Sequence, residues 1–351
     1  MNSEWLKTPA AKLDEQSGKE ATERQGQLTK PPGALGRLED SAITLAAMQG
    51  KIKPTLDNIH VSVFAGDHGI AAKGVSAFPQ AVTGEMVRNF ANGGAAICVL
   101  AKSIGANLEV INLGTVNDPG EISGVKRQII AASTADFSEQ DAMTEEQFTA
   151  ALNAGRDAAM RAKESNASLF IGGEMGIGNT SSATAIACAI LDMAPAALAG
   201  PGTGLDSDGV SRKVVTLKSA LELHRSTYGN AREALRCMGG FEITALCGAF
   251  ITCAQERLPV LVDGFIATAA ALCAAHICDN ASDWFLFSHA SAEPGHQSMT
   301  TSLGAKPLLD LGMRLGEGSG AAVAVPLLRL ACDLHNNMAT FAEAGVSEKS
   351  E

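Results

Sequence analysis

The chain has 351 residues, enough for one large α/β domain with an accessory helical lobe. Hydrophobic residues make up 46% but aromatic residues only 4%, so the core must be built mainly from Ala, Val, Ile and Leu. This composition is common where helices cover a parallel sheet. The formal charge of -11 offers no excess of cations for a phosphate backbone, which argues against nucleic acid as a partner.

The N-terminus is polar and shows no apolar segment typical of a secretory signal. The eight cysteines form no C-x-x-C pair, which disfavours zinc ribbons and redox dithiols, and most lie in apolar runs typical of buried thiols in a reducing cytoplasm. The most apolar long stretch, residues 260–278, carries Asp263 near its start and predicts a strand followed by a buried helix. We therefore expect a cytoplasmic protein without a membrane span.

Helical patterns dominate residues 10–50, interrupted at residues 30–33 by two prolines and a glycine that force a turn. From residue 58, β-branched runs alternate with Ala- and Leu-rich stretches, as in repeated βα units, and helix returns after residue 320. This pattern predicts an α/β fold with a helical lobe of residues 1–57 and 321–351 beside a catalytic domain of residues 58–320. The predicted strands are HVSVFAG (60–66), LEVINLG (108–114), SLFIGG (168–173), LPVLVDG (258–264) and WFLFSH (284–289), with a weaker one at AALAG (196–200).

Polar and glycine residues follow every predicted strand. In open parallel sheets, ligands bind outside the carboxyl ends of the strands, so we expect the six loops to converge on one site. The residues concerned are Asp67–Gly69, Gly114–Thr115, Glu174–Gly176, Gly202–Asp206, Asp263–Phe265 and Ser288–His289.

Two glycine-rich segments each carry a carboxylate, Glu174 within residues 172–180 and Glu317 within residues 315–320. Glycines let the backbone approach a ligand, and burial raises the pKa of a carboxyl towards the range of a general base. Both segments precede helical sequence, so the alternative is that each Glu only caps the following helix.

A third glycine-rich segment, residues 200–204, is followed by Lys213, which the pattern places at the start of a helix. Backbone N–H groups at a helix N-terminus together with one Lys can hold a phosphate. Residues 179–182 open another helix with hydroxyl groups and could donate to the same anion. Ordinary helix capping is an equally good interpretation of both segments, and the Walker pattern is absent.

His68 and His289 are the histidines closest to the predicted strand ends. Asp67 precedes His68, but neighbours on a strand point to opposite faces, so they need not cooperate. The sequence contains no H-E-x-x-H or G-x-S-x-G element, and no G-x-G-x-x-G follows the first strand. We predict neither a metal site nor a dinucleotide cofactor.

The chain closely resembles the nicotinate mononucleotide:5,6-dimethylbenzimidazole phosphoribosyltransferases over nearly its whole length. The motifs that carry the resemblance are KPPGALGRLE (30–39), AGDHG (65–69), GEMGIGNT (173–180), GGFE (239–242), VDGF (262–265) and MRLGEGSGAA (313–322).

The resemblance implies a Rossmann-like parallel sheet flanked by helices, with a smaller helical lobe, and usually a dimer without metal or redox cofactor. It implies that Glu317 is the general base and Glu174 its partner in the active site. The implied nucleotide and phosphate site comprises Gly176, Ile177, Gly178, Asn179, Thr180, Gly202, Thr203, Gly204, Lys213, Leu315, Gly316 and Gly318.

The implied reaction moves the phosphoribosyl group of nicotinate mononucleotide onto the base that becomes the lower ligand of a cobamide. The leaving nicotinate is already a cationic pyridinium, so positioning and deprotonation suffice, and attack from the opposite face gives an α-riboside.

The segment that corresponds to the family's base pocket carries Phe78 and Met86, where relatives can have polar groups. An unusually apolar pocket would suit phenol or p-cresol as acceptor, and some relatives of that type work as two homologous subunits, so a homodimer and a heterodimer both stay open. The remaining alternatives are that Phe78 and Met86 only vary the packing, or that the chain is a non-catalytic paralogue.

Overall fold

A computed structural model describes residues 3–347 of the chain. Within this part, six strands form one parallel sheet in the order β3-β2-β1-β4-β5-β6. This is the strand order of Rossmann-like folds, with its reversal between β1 and β4. The strands are β1 Ile59–Gly66, β2 Asn107–Gly114, β3 Val125–Arg127, β4 Leu169–Met175, β5 Val260–Val262 and β6 Phe285–Phe287.

Helices cover both faces of the sheet, so every residue of β1 and β5 is buried. Strands covered on both sides need near-continuous apolar runs, which is why these segments are recognisable in the sequence. The α-helices are α1 Glu15–Gln27, α2 Arg37–Gln49, α3 Ala81–Ala91, α4 Ala96–Ile104, α5 Glu145–Glu164, α6 Asn179–Leu191, α7 Pro195–Leu198, α8 Ser207–Leu223, α9 Ala231–Met238, α10 Phe241–Gln255, α11 Phe265–Ile277, α12 Gly295–Ser302, α13 Ser319–Asn337 and α14 Phe341–Ala344.

The N-terminal helices pack against the last long helix. Helix α2 contacts both α1 and α13, and Leu28 and Leu45 are fully buried there. The guanidinium of Arg24 donates to the carbonyls of His335, Asn336 and Met338 at 2.8, 3.0 and 3.2 Å. A cation at these carbonyls stabilises the C-terminal end of α13. The division into residues 1–57 plus 321–351 and residues 58–320 stays a prediction.

The five strong strand predictions are confirmed, but the weaker one at residues 196–200 is wrong. Pro195–Leu198 forms the short helix α7 with Pro195 in its first turn, where its missing N–H costs no hydrogen bond. Strand β3 was not predicted, because its residues are half-buried or exposed and contain no apolar run. No helix among residues 3–347 is both long and apolar enough to cross a membrane.

Candidate active site

A cavity of about 330 Å³ opens at the carboxyl ends of β4, β5 and β6. Its position next to the β1/β4 reversal is where open α/β sheets bind ligands. Residues that line it are Phe78, Val82, Met86, Glu174, Met175, Gly176, Ile177, Asn179, Thr180, Gly202, Thr203, Asp263, Gly264, Phe265, Ile266, Ala267, His289, Ser291, Glu293, Arg314, Leu315, Gly316 and Glu317.

Glu174 lies at the end of β4 and is buried. Its Oε2 accepts a hydrogen bond from the Nδ2 of Asn179 in the first turn of α6. The loop after Glu174 is fixed by hydrogen bonds to α3 and to the residue that follows β1. The Ile177 N–H donates to Thr83 Oγ1 at 3.2 Å, and the Thr83 hydroxyl donates to Asp67 Oδ1 at 2.6 Å. The sheet and α3 together therefore fix the position of Glu174.

Glu317 sits on a tight loop just before α13, with a left-handed φ of 64° between two glycines that also have positive φ. The loop lies directly on β4, because a β-carbon on Gly173 would come within 2.2 Å of the Glu317 carbonyl oxygen. A β-carbon on Gly316 would likewise lie 2.3 Å from Glu174 Oε1. The glycines therefore allow the two glutamates to approach one another.

Asp263 anchors the Glu317 loop from the end of β5. Its Oδ2 accepts from the Gly318 N–H at 3.1 Å and its Oδ1 from the Ala321 N–H at 2.8 Å, so it holds the N-terminal turn of α13. His289 Nε2 lies 3.7 Å from Asp263 Oδ1. The Glu317 carboxylate in turn accepts from the Ile97 N–H at 3.2 Å, at the start of α4.

Burial raises the pKa of both glutamates. For Glu174 it raises the pKa well above the usual range, and the charges of Glu242 and Asp263 add to the effect. Burial also raises the pKa of Glu317, while the amide of Ile97 partly opposes the rise. A carboxylate with a raised pKa is a stronger proton acceptor, as a general base requires.

Neither glutamate caps the helix that follows it. The N-cap residues of α6 and α13 are Gly178 and Gly318, which have no side chain, and the Glu174 and Glu317 carboxylates accept instead from the Asn179 side chain and from the Ile97 N–H. The capping alternative for Glu174 and Glu317 is therefore wrong.

One wall of the cavity is apolar, with Phe78, Val82 and Met86 from the segment that leads into α3 and from α3 itself. Phe78 is 52% exposed, so a bound aromatic ring could cover it. The segment is tied to the opposite rim, because Ser76 Oγ lies 2.9 Å from Thr203 Oγ1 and the Ala77 N–H donates to the same oxygen at 3.3 Å.

Lys213 was expected at the start of a helix, and this is wrong. Helix α8 begins at Ser207, with Asp206 as its N-cap, so Lys213 lies well inside it. Its ammonium is buried and donates to Thr180 Oγ1 at 2.8 Å and to the Gly200 carbonyl at 3.3 Å. Burial lowers the pKa of Lys213 to about 8, against the charge of Glu293. The lysine thus lies behind the cavity wall and supports Thr180.

Most of the residues that the sequence singled out come together here. Among the expected site residues, those that line the cavity are Phe78, Met86, Glu174, Gly176, Ile177, Asn179, Thr180, Gly202, Thr203, Leu315, Gly316 and Glu317. The cavity lining does not include Gly178, Gly204, Lys213 and Gly318. Gly178 and Gly318 are the N-cap residues of α6 and α13, and their positive φ angles shape the loops that precede these helices.

The expectation that all six loops converge is also wrong for two of them. Asp67 accepts from the Val116 N–H at 2.9 Å and from Thr83. His68 is fully buried, with Nε2 2.5 Å from Glu242 Oε1 and Nδ1 2.9 Å from Ser182 Oγ. The loops after β1 and β2 therefore do not line the cavity, and Asp67 supports the site through Thr83.

The sequence predicted no role for Ser291, Glu293 or Arg314, although all three line the cavity and Arg314 lies in the motif at residues 313–322. Glu293 Oε1 accepts from the Gly202 N–H at 3.0 Å, and its Oε2 is buried without a partner. Arg314 Nη1 lies 3.4 Å from the Gly202 carbonyl oxygen. Glu293 and Arg314 are identified as site residues by their contacts with the loop at Gly202, and these contacts exist only in the folded chain.

The fold and this cavity define a Rossmann-like α/β protein with two buried glutamates at the carboxyl edge of its sheet. A family model described as "Phosphoribosyltransferase" matches residues 10–346. The chain belongs to this family.

Curated relatives and a solved structure support the same family assignment. The chain is 55% identical over 349 residues to the nicotinate-nucleotide–dimethylbenzimidazole phosphoribosyltransferase of Pseudomonas fluorescens SBW25, covering 99% of each chain. It is 57% identical over 348 residues to the enzyme of that name from Xanthomonas oryzae pv. oryzae PXO99A, covering 99% of this chain and 100% of the relative. The crystal structure of the Thermus thermophilus enzyme of that name superposes with a TM-score of 0.91 at 42% identity, covering 96% of this chain and 100% of the other.

Proposed function

We propose that this chain transfers the 5-phosphoribosyl group of nicotinate mononucleotide to 5,6-dimethylbenzimidazole, giving an α-riboside 5'-phosphate and nicotinate. The observation that carries the proposal is the pair of buried carboxylates, Glu174 and Glu317, that face one cavity beside an apolar wall. The wall suits a flat aromatic acceptor, and the carboxylates suit its deprotonation. The names of the relatives point to the same substrates.

Glu317 is the proposed general base. One ring nitrogen of the imidazole forms a bond to C1' of the ribose, while the N–H on the other ring nitrogen gives its proton to the Glu317 carboxylate. The bond from C1' to the nicotinate nitrogen breaks, and its electron pair stays on that nitrogen and neutralises the pyridinium. No acid is needed at the leaving group, and attack opposite to it inverts the β-linkage to α.

Glu174 is the proposed partner of the base. Its buried carboxylate lies against the Glu317 loop and can stabilise the positive charge that develops on the ribose as nicotinate departs. We assign the mononucleotide to the loops at Gly176–Thr180 and Gly202–Gly204 and to residues 315–318, with Lys213 holding Thr180 in place. The N-terminus of α6 and Arg314 at the rim both favour a phosphate there.

Two further expectations belong to the proposal. The eight cysteines are all free thiols, which supports a working environment in the reducing cytoplasm. We expect the chain to work as a homodimer without a redox cofactor. Light scattering of the purified protein checks the assembly, and a mass close to that of one chain would contradict it.

The experiment that tests the function is release of nicotinate from nicotinate mononucleotide by the purified chain alone. Dimethylbenzimidazole, adenine, phenol and p-cresol serve as separate acceptors, and chromatography with NMR identifies the product and its anomeric configuration. We expect turnover with dimethylbenzimidazole to an α-riboside. Turnover with phenols alone would replace the proposed acceptor, and a folded chain silent with every acceptor would contradict activity of the chain by itself.

A further inference from the structure

A second cluster of polar side chains lies in a separate surface cavity of about 310 Å³. Asp141, His224 and Cys237 each offer one ligand atom, and these three atoms lie within 4.8 Å of one another. None of the three lines the cavity that holds Glu174 and Glu317. The residues are far apart in the sequence and come from a loop, the end of α8 and helix α9.

The tautomer of His224 leaves one ring nitrogen free to bind a cation. His224 is 5% exposed, and its Nε2 lies 2.8 Å from the carbonyl oxygen of Phe137. A carbonyl only accepts, so Nε2 carries the hydrogen, and in the neutral ring Nδ1 is an unprotonated lone pair. A metal-binding histidine is usually oriented in this way, by donating its other N–H to a carbonyl or carboxylate.

The separation of the histidine and aspartate ligand atoms fits a tetrahedral ion. His224 Nδ1 lies 3.5 Å from Asp141 Oδ1. Two ligands that are each about 2.1 Å from a tetrahedral zinc ion are about 3.4 Å apart. A lone pair opposite a carboxylate oxygen is unfavourable with nothing between them, and a cation in the gap would bind both.

A backbone hydrogen bond joins two parts of this cluster, and the positive charge of Arg236 is already paired. The Ala142 N–H donates to the Cys237 carbonyl at 2.8 Å, which ties the Asp141 loop to α9. Arg236 Nη1 donates to Asp141 Oδ2 at 2.8 Å, while Asp141 Oδ1 faces His224 Nδ1. The Arg236 guanidinium also lies 3.0 Å from a Glu233 carboxylate oxygen, which offsets its repulsion of a cation.

We propose that Asp141, His224 and Cys237 form a binding site for a divalent transition-metal ion of the zinc type, with water as the fourth ligand. Such ions prefer a thiolate, an imidazole and a carboxylate in this combination, whereas Mg²⁺ and Ca²⁺ prefer oxygen alone. On binding, the S–H bond of Cys237 breaks, its proton passes to solvent, and the sulfur lone pair binds the ion. The ion would join the Asp141 loop to α9.

No sequence motif marks this site. The proposal therefore revises the prediction that the chain has no metal site. Cys237 belongs to no C-x-x-C pair, and His224 belongs to no H-E-x-x-H element. The site is independent of the proposed transferase reaction, so either can fail alone.

The test is zinc binding by the full-length chain after treatment with a chelator, measured by elemental analysis after gel filtration and by competition with a chromophoric chelator. We expect about one equivalent per chain in wild type. Cys237→Ser and His224→Gln should each weaken binding at least about 100-fold, and Asp141→Asn about tenfold. Cys98→Ser is the control for loss of a thiol and should bind like wild type.

Two further readouts keep the test independent of folding defects in the variants. Co²⁺ added to wild type should give a thiolate-to-cobalt charge-transfer band, and the Tm should rise with zinc concentration by mass action. Asp141 is 46% exposed at its side chain, so Asp141→Asn should fold and show both effects more weakly. Wild type without bound zinc, a cobalt spectrum without the thiolate band, or equal binding by Cys237→Ser would overturn the proposal.

Discussion

The two ends of one parallel sheet place glutamates in opposite electrostatic surroundings. Near the amino end of β2, Glu109 accepts from both Arg161 Nε and Nη2, at 2.9 and 3.0 Å, and from the Ser62 hydroxyl at 2.8 Å. At the carboxyl end, Glu174 and Glu317 share a cavity and face other carboxylates. Burial raises the pKa in all three cases, but at Glu109 hydrogen bonds from His60 and Arg161 outweigh it and bring the pKa to about 2.

This difference distinguishes a glutamate that stabilises the fold from two glutamates that we propose act in the reaction. A carboxylate that is fully paired stays charged and stabilises the fold, whereas an unpaired one is ready to take a proton and costs stability. The predictions that follow would sharpen or break this contrast between the Glu109 end and the Glu317 end.

The largest effect is expected for Glu317→Gln. The amide keeps an oxygen that can accept from the Ile97 N–H but cannot take a proton, so kcat should fall by about 10²- to 10⁴-fold with little change in Tm. Steady-state release of nicotinate measures it. A Gln variant that retains wild-type kcat would remove Glu317 from the role of base.

The pH profile gives a second check on the same residue. Because the pKa of Glu317 is raised, the acid limb of kcat/KM should lie above the usual value of 4.5 and activity should fall as the pH drops through it. In Glu317→Gln the residual activity should lose this limb.

The next effect is on stability, for Glu109→Gln. Removing the charge leaves the Arg161 guanidinium partly buried without its partner and should cost about 2–3 kcal/mol in the free energy of unfolding, with kcat unchanged. Urea unfolding measures it. The control is Glu139→Gln, whose ion pair with Lys73 is largely exposed, so its free energy of unfolding should stay close to that of wild type.

The pH dependence of the Glu109 effect has a definite sign. The pKa is lowered in the folded state, so its stabilisation is fully present above the ordinary pKa of 4.5 and is lost as the pH falls towards about 2. The difference between wild type and Glu109→Gln should therefore shrink in acid. A difference that stays constant from neutral pH down to the acid limit of the fold would contradict the assignment.

A smaller effect of opposite sign is expected for Glu174→Gln. The folded state raises the pKa of Glu174, so ionisation of this group destabilises the fold increasingly as the pH rises above 4.5. The neutral amide should stabilise the protein by about 1 kcal/mol at neutral pH, and by less at acid pH, while turnover falls. Thermal unfolding across pH checks it, and a variant that is destabilised in mild alkali would contradict the contrast between the sheet ends.

The smallest effect is expected at the apolar wall. Phe78→Ala removes half-exposed aromatic surface, so KM for dimethylbenzimidazole should rise about fivefold while KM for nicotinate mononucleotide stays the same. Val99→Ala is the control, because Val99 is an exposed apolar residue outside the cavity lining. If Phe78→Ala and Val99→Ala both kept the wild-type KM for dimethylbenzimidazole, Phe78 would take no part in acceptor binding.

The sequence predicted the parts of the fold that carry strong local signals. Strands β1 and β4 are buried apolar runs with a glycine or a carboxylate at or next to their last residue, and both were recognised. Strand β3 is short and exposed, and it depends on pairing with β2, which no local pattern reveals. Lys213 was misplaced because the sequence interpretation put the start of the helix near Lys213, whereas the Asp206 side chain caps a helix that already begins at Ser207.

The site was predictable where loops carry glycine next to a carboxylate, as at Glu174 and Glu317. It was not predictable where the role comes from a contact across the fold. Asp263 matters because it binds the Ala321 amide at the start of α13, and Glu293 because it binds the Gly202 amide. The cluster of Asp141, His224 and Cys237 exists only through the packing of a loop against α9.

Helix α13 connects the site to the N-terminal helices, since it begins at the Glu317 loop and ends where Arg24 binds its last carbonyls. The strands and their covering helices precede it, so a nascent chain can build the sheet before Glu317 emerges. Glu317, the proposed base, is therefore synthesised after every strand of the sheet and after the other residues that line the cavity.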